Sequence, residues 1–140
     1  MIDAKHSPFR VYAGTDSVPA VLHHVTLELS RADEPRMAEF WQLAGFAPVE
    51  PPEGLRGRTA WFERGGTQIH LMWVDEPVAP PLGHGAVVVE DYEAALERIR
   101  AAGFEVRERT AYWGAPRSFV ALPGGHRAEL MAWPPGANSR

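Results

Sequence analysis

The stretch RTAWFERGGTQIHLM, Arg58 to Met72, is written a second time as RSFVALPGGHRAELM, Arg117 to Met131, at an offset of 59 residues. Arg58, Gly65, Gly66, Leu71 and Met72 recur as Arg117, Gly124, Gly125, Leu130 and Met131. Two Ala-Gly-Phe triplets, Ala44-Gly45-Phe46 and Ala102-Gly103-Phe104, stand 58 apart, and His24 and His84 stand 60 apart. Near-constant spacing at three landmarks points to an internal duplication. The 140 residues then amount to two small copies of one unit, each too small for a core of its own, so the two must share one.

Helical periodicity marks Met37 to Ala44 (MAEFWQLA) and Tyr92 to Ala102 (YEAALERIRAA). Each runs into its Ala-Gly-Phe triplet, where glycine suits the left-handed residue beyond a helix and phenylalanine opens the next strand. Strand-like runs are Leu22 to Leu29, Thr59 to Arg64, Gln68 to Trp73, His84 to Val89, Glu105 to Arg109, Ser118 to Leu122 and Arg127 to Ala132. Each half therefore reads strand, helix, then two or three strands. The Pro-rich segment EPVAPPLG, with residues 77–82 as the linker proper, divides module 1 (20–76) from module 2 (83–134). An N-terminal arm (1–19) and a tail (135–140) flank the single domain.

Successive strand residues face opposite sides of a sheet. Val25, Leu27 and Leu29 are apolar where His24, Thr26 and Glu28 are polar; Ile69, Leu71 and Trp73 oppose Gln68 and His70; Ala128, Leu130 and Ala132 oppose Arg127 and Glu129. The apolar sets belong under the helices. The polar sets form an open face unusually rich in metal-ligand types. By the same parity His23 faces the helix side. Gly65-Gly66 and Gly124-Gly125 read as two-residue hairpin loops, which sets Trp61 opposite His70 and Val120 opposite Glu129. Trp61 thus walls the open face, and Trp113, in the loop AYWGAPR, is placed to cover it. Of the other histidines, His126 reads as a solvated turn residue and His6 as part of the arm.

Composition narrows the chemistry. With no cysteine, neither a disulfide framework nor a thiolate metal site is available, and any metal takes nitrogen and oxygen donors. A net charge of -4 and the lack of a basic stripe exclude nucleic acid as partner. No run is apolar enough for a signal or a span, so the expected location is the cytoplasm.

LHHVTLEL (22–29), WFERGGTQIHL (61–71), GHGAVVVEDYEAALERI (83–99) and PGGHRAEL (123–130) together resemble the vicinal oxygen chelate superfamily: glyoxalases, extradiol dioxygenases, fosfomycin-resistance thiol transferases and bleomycin-binding proteins. The resemblance runs from about Val21 to Trp133. It implies an α+β fold of two tandem βαβββ modules whose curved mixed sheet encloses a central metal, with the helices outside. The first and last strands of each module supply the ligands. Carried over by position, these are His24, His70, His84 and Glu129. Three imidazoles and a carboxylate suit Fe(II), Mn(II), Ni(II), Co(II) or Zn(II) rather than the all-oxygen shells of calcium and magnesium. A substrate with two adjacent oxygens would chelate there, with the cation as Lewis acid.

The implied activity is that of a metal-dependent lyase, isomerase or dioxygenase on a small oxygen-rich molecule. The alternatives are metal-free ligand sequestration of the bleomycin-resistance kind and thiol transfer to an antibiotic. Two departures bear on this. Glyoxalase-type members often carry a carboxylate where this chain has His70, and a metal-bound imidazole is no base, which argues against methylglyoxal isomerisation. Leu122 stands where the last hairpin usually starts with an acid. Arg127, on the Glu129 face, is a candidate for an anionic part of the substrate. The family habit of pairing modules across subunits implies a homodimer, with Phe9 to Val18 at its edge.

Overall fold

A computed structural model describes residues 20–136. The expected N-terminal arm lies outside them, as does the tail beyond residue 136. Module 1 comprises β1 (His24–Leu29), α1 (Glu34–Leu43), β2 (Ala47–Val49), β3 (Thr59–Arg64) and β4 (Thr67–Trp73). Module 2 repeats the order with β5 (Gly85–Val88), α2 (Tyr92–Ala101), β6 (Val106–Arg109), β7 (Arg117–Ala121) and β8 (Arg127–Met131). Each forms a four-stranded mixed sheet, ordered β1-β4-β3-β2 and β5-β8-β7-β6, in which only the first pair is parallel. The chain is α+β, with the duplicated βαβββ plan the repeat demands.

The two Ala-Gly-Phe triplets are the clearest link from sequence to structure. Gly45 and Gly103 take φ of +101° and +88°. Gly45 N donates to Gln42 O at 3.0 Å and Phe46 N to Trp41 O at 2.9 Å, while Gly103 N and Phe104 N reach Arg100 O and Ile99 O in the same pattern. This paired closure satisfies carbonyls that a helix end would leave orphaned. The phenylalanines that follow turn inward, where both are buried.

Helix α1 starts three residues earlier than its apolar pattern, because Pro35 suits a first turn and a 3-10 turn, Arg31–Asp33, leads into it. Strand β2 is absent from the sequence expectation: it has three residues, one of them Pro48, and Pro is tolerated on an edge strand such as this.

One core joins the modules. Met37, Phe40 and Trp41 of α1 and Leu96 and Ile99 of α2 are buried with Leu29, Leu71, Val120 and Leu130 from the sheets. Phe40 meets Phe104 edge-on, ring centroids 5.7 Å apart. Arg36 caps that contact, donating to Ala102 O at 2.7 Å with its guanidinium 3.6 Å from the Phe104 ring. The hairpins also clasp in reciprocal fashion. Arg64 Nη1 reaches Val88 O at 3.2 Å, and His126 Nε2 donates to Glu28 O at 2.7 Å. His126 is therefore a buried tie between modules rather than a solvated turn residue.

The second hairpin departs from the expected register. In module 1 Gly65-Gly66 is the two-residue loop between Arg64 and Thr67, and Trp61 lies opposite His70 as parity requires. In module 2 the ladder ends at Ala121↔Arg127, and five residues containing the 3-10 turn Pro123–Gly125 make the connection. Leu122 folds inward and is buried, so the glycines cannot close a tight loop beside it. Phe119, not Val120, consequently faces Glu129. Val120 is fully buried on the helix side.

Candidate functional site

The register of β1 on β4 pairs Thr26 with His70, which places His24, Thr26 and His70 on one open face with Trp61. The His70 ring lies flat against Trp61, centroids 3.9 Å apart and planes 2° apart. On its other side His24 stacks at 4.1 Å and 15°. Burial, and then the neighbouring His24 and His23, hold the His70 pKa down from 6.5 to about 4. His70 is thus neutral at physiological pH, the form that coordinates a cation.

Hydrogen bonds define the tautomers. The Gln68 amide donates to Glu63 Oε1 at 3.0 Å, which leaves Gln68 Oε1 to accept from His70 Nε2 at 2.7 Å. The lone pair of His70 is then on Nδ1. His84 Nδ1 donates to Leu82 O at 2.9 Å, so Nε2 is the ring nitrogen left to face a ligand. Carbonyl or carboxylate partners of this kind orient metal-binding imidazoles.

His84 immediately precedes β5, and Ala86 pairs with Glu129 on β8. His84 Nε2 lies 3.8 Å from Glu129 Oε1, and Arg117 Nη1 lies 3.0 Å from the same oxygen. Among the described residues Glu129 Oε2 has no partner, which leaves it open to a ligand. The donor set therefore fits a divalent cation in kind: the neutral His70 imidazole, the imidazoles of His84 and His24, and a carboxylate oxygen.

The four side chains form two pairs, His24 with His70 on the first sheet and His84 with Glu129 on the second. Among the described residues, no three histidine, aspartate or glutamate side chains gather closely enough within one chain to hold a metal ion. A cavity of about 210 Å³ at the seam between modules is lined by Thr26, the register partner of His70, and by His84 and Arg127. Of the four candidate ligands only His84 lines this opening.

Five further residues belong to this neighbourhood. His23 does not face the helix side: β1 begins at His24, so strand alternation does not reach it. Its Nδ1 is 2.9 Å from His24 Nδ1, and its ring is 6.5 Å from that of His70. Phe119 meets the His84 ring edge-on at 4.8 Å. Arg117 pairs with Glu129 and was visible in the sequence only as the repeat of Arg58; the true hairpin register would have put it on the Glu129 face. Trp113 donates to Trp133 O at 2.9 Å and borders Arg117, whose guanidinium is 5.6 Å from its ring. Arg127 donates to Leu82 O at 2.8 Å and lies 4.7 Å from the Phe119 ring.

Two βαβββ modules packed through one core, each with an open face of imidazole, carboxylate and aromatic side chains, define the class. Residues 21–130 match the Glyoxalase/Bleomycin resistance protein/Dioxygenase superfamily, and the chain belongs to that superfamily. A glyoxalase family protein of Bacillus anthracis superposes with a TM-score of 0.73 at 24% identity, covering 84% of this chain and 98% of that one. The fosfomycin resistance protein FosX of Listeria monocytogenes gives 0.66 at 21%, covering 83% and 95%. Lactoylglutathione lyase of Agrobacterium tumefaciens gives 0.62 at 17%, covering 82% and 95%. At these identities the likeness is one of fold. No curated protein matches by sequence. No helix among the described residues is long and apolar enough to cross a membrane.

Proposed function

We propose that this protein is a divalent-metal-dependent enzyme, a lyase, isomerase or dioxygenase, acting on a small oxygen-rich molecule. His24, His70, His84 and Glu129 hold the cation, which is Fe(II), Mn(II), Ni(II), Co(II) or Zn(II). The observation that carries this reading is the His84–Glu129 pair, in which Nδ1 of His84 is anchored to the Leu82 carbonyl and Nε2 is turned toward the carboxylate. The His24–His70 stack supplies the other half. Because the halves stay apart in one chain, a second copy that set its module 2 against module 1 would bring all four donors together, and a homodimer is part of the proposal.

When bound, the cation supplies Lewis acidity toward a substrate offering two oxygens. The chain's own residues do the rest. Trp61 and Phe119 wall the pocket with apolar surface and exclude water. Arg117 neutralises Glu129 until the carboxylate is engaged elsewhere. Gln68 and the Leu82 carbonyl keep the imidazoles in the tautomers described. The flat Trp61–His70–His24 stack also favours a second reading, metal-free sequestration of a planar ligand.

Thermal melting separates the two. A cation bound to the folded form raises its stability by mass action, so the metal-loaded protein melts above the chelated one at pH 7.5, and the gap narrows as acid protonates the ligand set. Equal melting temperatures with and without chelator, once loading and removal are verified, favour sequestration. Light scattering that shows a monomer at tens of micromolar overturns the dimer.

A further inference from the structure

The open face of module 2 has a charge opposite to that of the chain. Strand parity places Arg107 and Arg109 of β6, Arg117 of β7 and Arg127 of β8 on the face that carries Phe119 and Glu129. With Glu105, which also borders this face, that is four guanidiniums against two carboxylates, in a protein of net charge -4. Arg107 is spoken for by Glu105 at 2.7 Å, and Arg117 by Glu129 at 3.0 Å. Arg109 and Arg127 have no carboxylate partner among the described residues.

Their placement is costly unless something offsets it. Arg109 lies directly opposite Arg117 in the β6–β7 ladder, and like charges in that relation destabilise a sheet. The guanidiniums of Arg109, Arg117 and Arg127 are 5.6, 5.8 and 4.7 Å from the single ring of Phe119. Arg127 Nε is buried without a hydrogen-bond partner. A hollow of about 210 Å³, lined by Arg107, Arg109, Phe119 and Arg127, opens beside them. Phe119, which lines it, lies opposite Glu129 in the β7–β8 ladder and meets the His84 ring edge-on at 4.8 Å.

We propose that this hollow is the specificity pocket for an oxyanion: the substrate carries a carboxylate, phosphate or phosphonate group held by Arg109 and Arg127, with an apolar part against Phe119. The proposal rests on the functional reading above for the position of the reacting centre. Guanidinium forks match such groups two hydrogen bonds at a time. The size of the hollow and the acidity of the whole chain select a small molecule over a polyanion such as nucleic acid.

The test is calorimetric titration of the full-length, chelator-treated protein with phenylphosphonate, benzoate, inorganic phosphate and benzylamine. Removing the metal makes the outcome independent of whether a cation site exists, so failure here and failure of the metal reading are separate results. Phenylphosphonate or benzoate binds, inorganic phosphate binds more weakly for want of a ring, and benzylamine does not bind. The stronger of the first two identifies the headgroup class. Arg109→Gln and Arg127→Gln each weaken binding by about tenfold, as expected for losing a charge-assisted contact. Arg109 is exposed on an edge strand, so its variant keeps the fold even if the Arg127 variant does not. No binding of any anion, binding unchanged in Arg109→Gln, or preference for benzylamine overturns the proposal.

Discussion

The imidazole of His70 and the indole of Trp61 lie face to face, 3.9 Å between centroids and 2° from parallel, as directly opposed residues of β3 and β4. The indole is part of the wall that shields the imidazole from water, and burial is the main cause of its lowered pKa. Trp61→Ala should therefore move the His70 pKa from about 4 back toward 6.5, read by NMR titration of the ring. Trp61→Phe keeps a flat cover and should leave it low. The alanine variant should also lose about 1 kcal/mol from stacking. A His70 pKa unmoved by Trp61→Ala would show that the indole contributes nothing to the shift.

The same group gives the metal-free protein a signed pH dependence. His70 binds its proton at about 4 when folded and near 6.5 when unfolded. Between these values the unfolded chain carries more protons, so stability rises with pH. The contribution of His70 is full above 6.5 and is lost as pH falls toward 4. Chelated wild type should lose melting temperature across that window, and His70→Gln should lose less. Parallel pH profiles for the two would contradict this.

Phe119 and Val120 test the second hairpin. Val120 is fully buried, so Val120→Ala leaves a cavity and should cost about 2 kcal/mol in denaturant unfolding. Phe119→Ala, on the open face, should cost less stability while weakening binding of aromatic anions. The reverse order of stabilities would restore the tight Gly124-Gly125 loop that the repeat suggests.

Much of this was legible in the sequence because it was written twice. The glycine helix ends, the Trp61–His70 pairing and the partition of strand faces all follow from local rules that the two copies state in common. The second hairpin was not, since the repeat aligns Gly65-Gly66 with Gly124-Gly125 although Leu122 turns into the core and lengthens the loop. That one difference hid Phe119 and Arg117. His126 was also opaque: a turn histidine gives no local sign of a carbonyl partner 98 positions away. His23 was misplaced by extending strand alternation one residue past the start of β1. The arginine face went unread: Arg107 and Arg109 alternate along one strand, but the face is assembled only with three strands in register.

The central claim is a cation held by His24, His70, His84 and Glu129, and its most direct test is metal content. Protein purified without chelators or a metal-affinity tag, then offered each candidate cation and desalted, should retain about one per chain, since each chain supplies one copy of these four donors. Glu129→Gln, which keeps shape but removes charge, and His24→Ala should lose most of it. His23→Ala, which removes a hydrogen-bond partner of His24, should lose less. Wild type that retains none of the cations offered, or that yields its metal to His23→Ala more readily than to His24→Ala, would contradict the site.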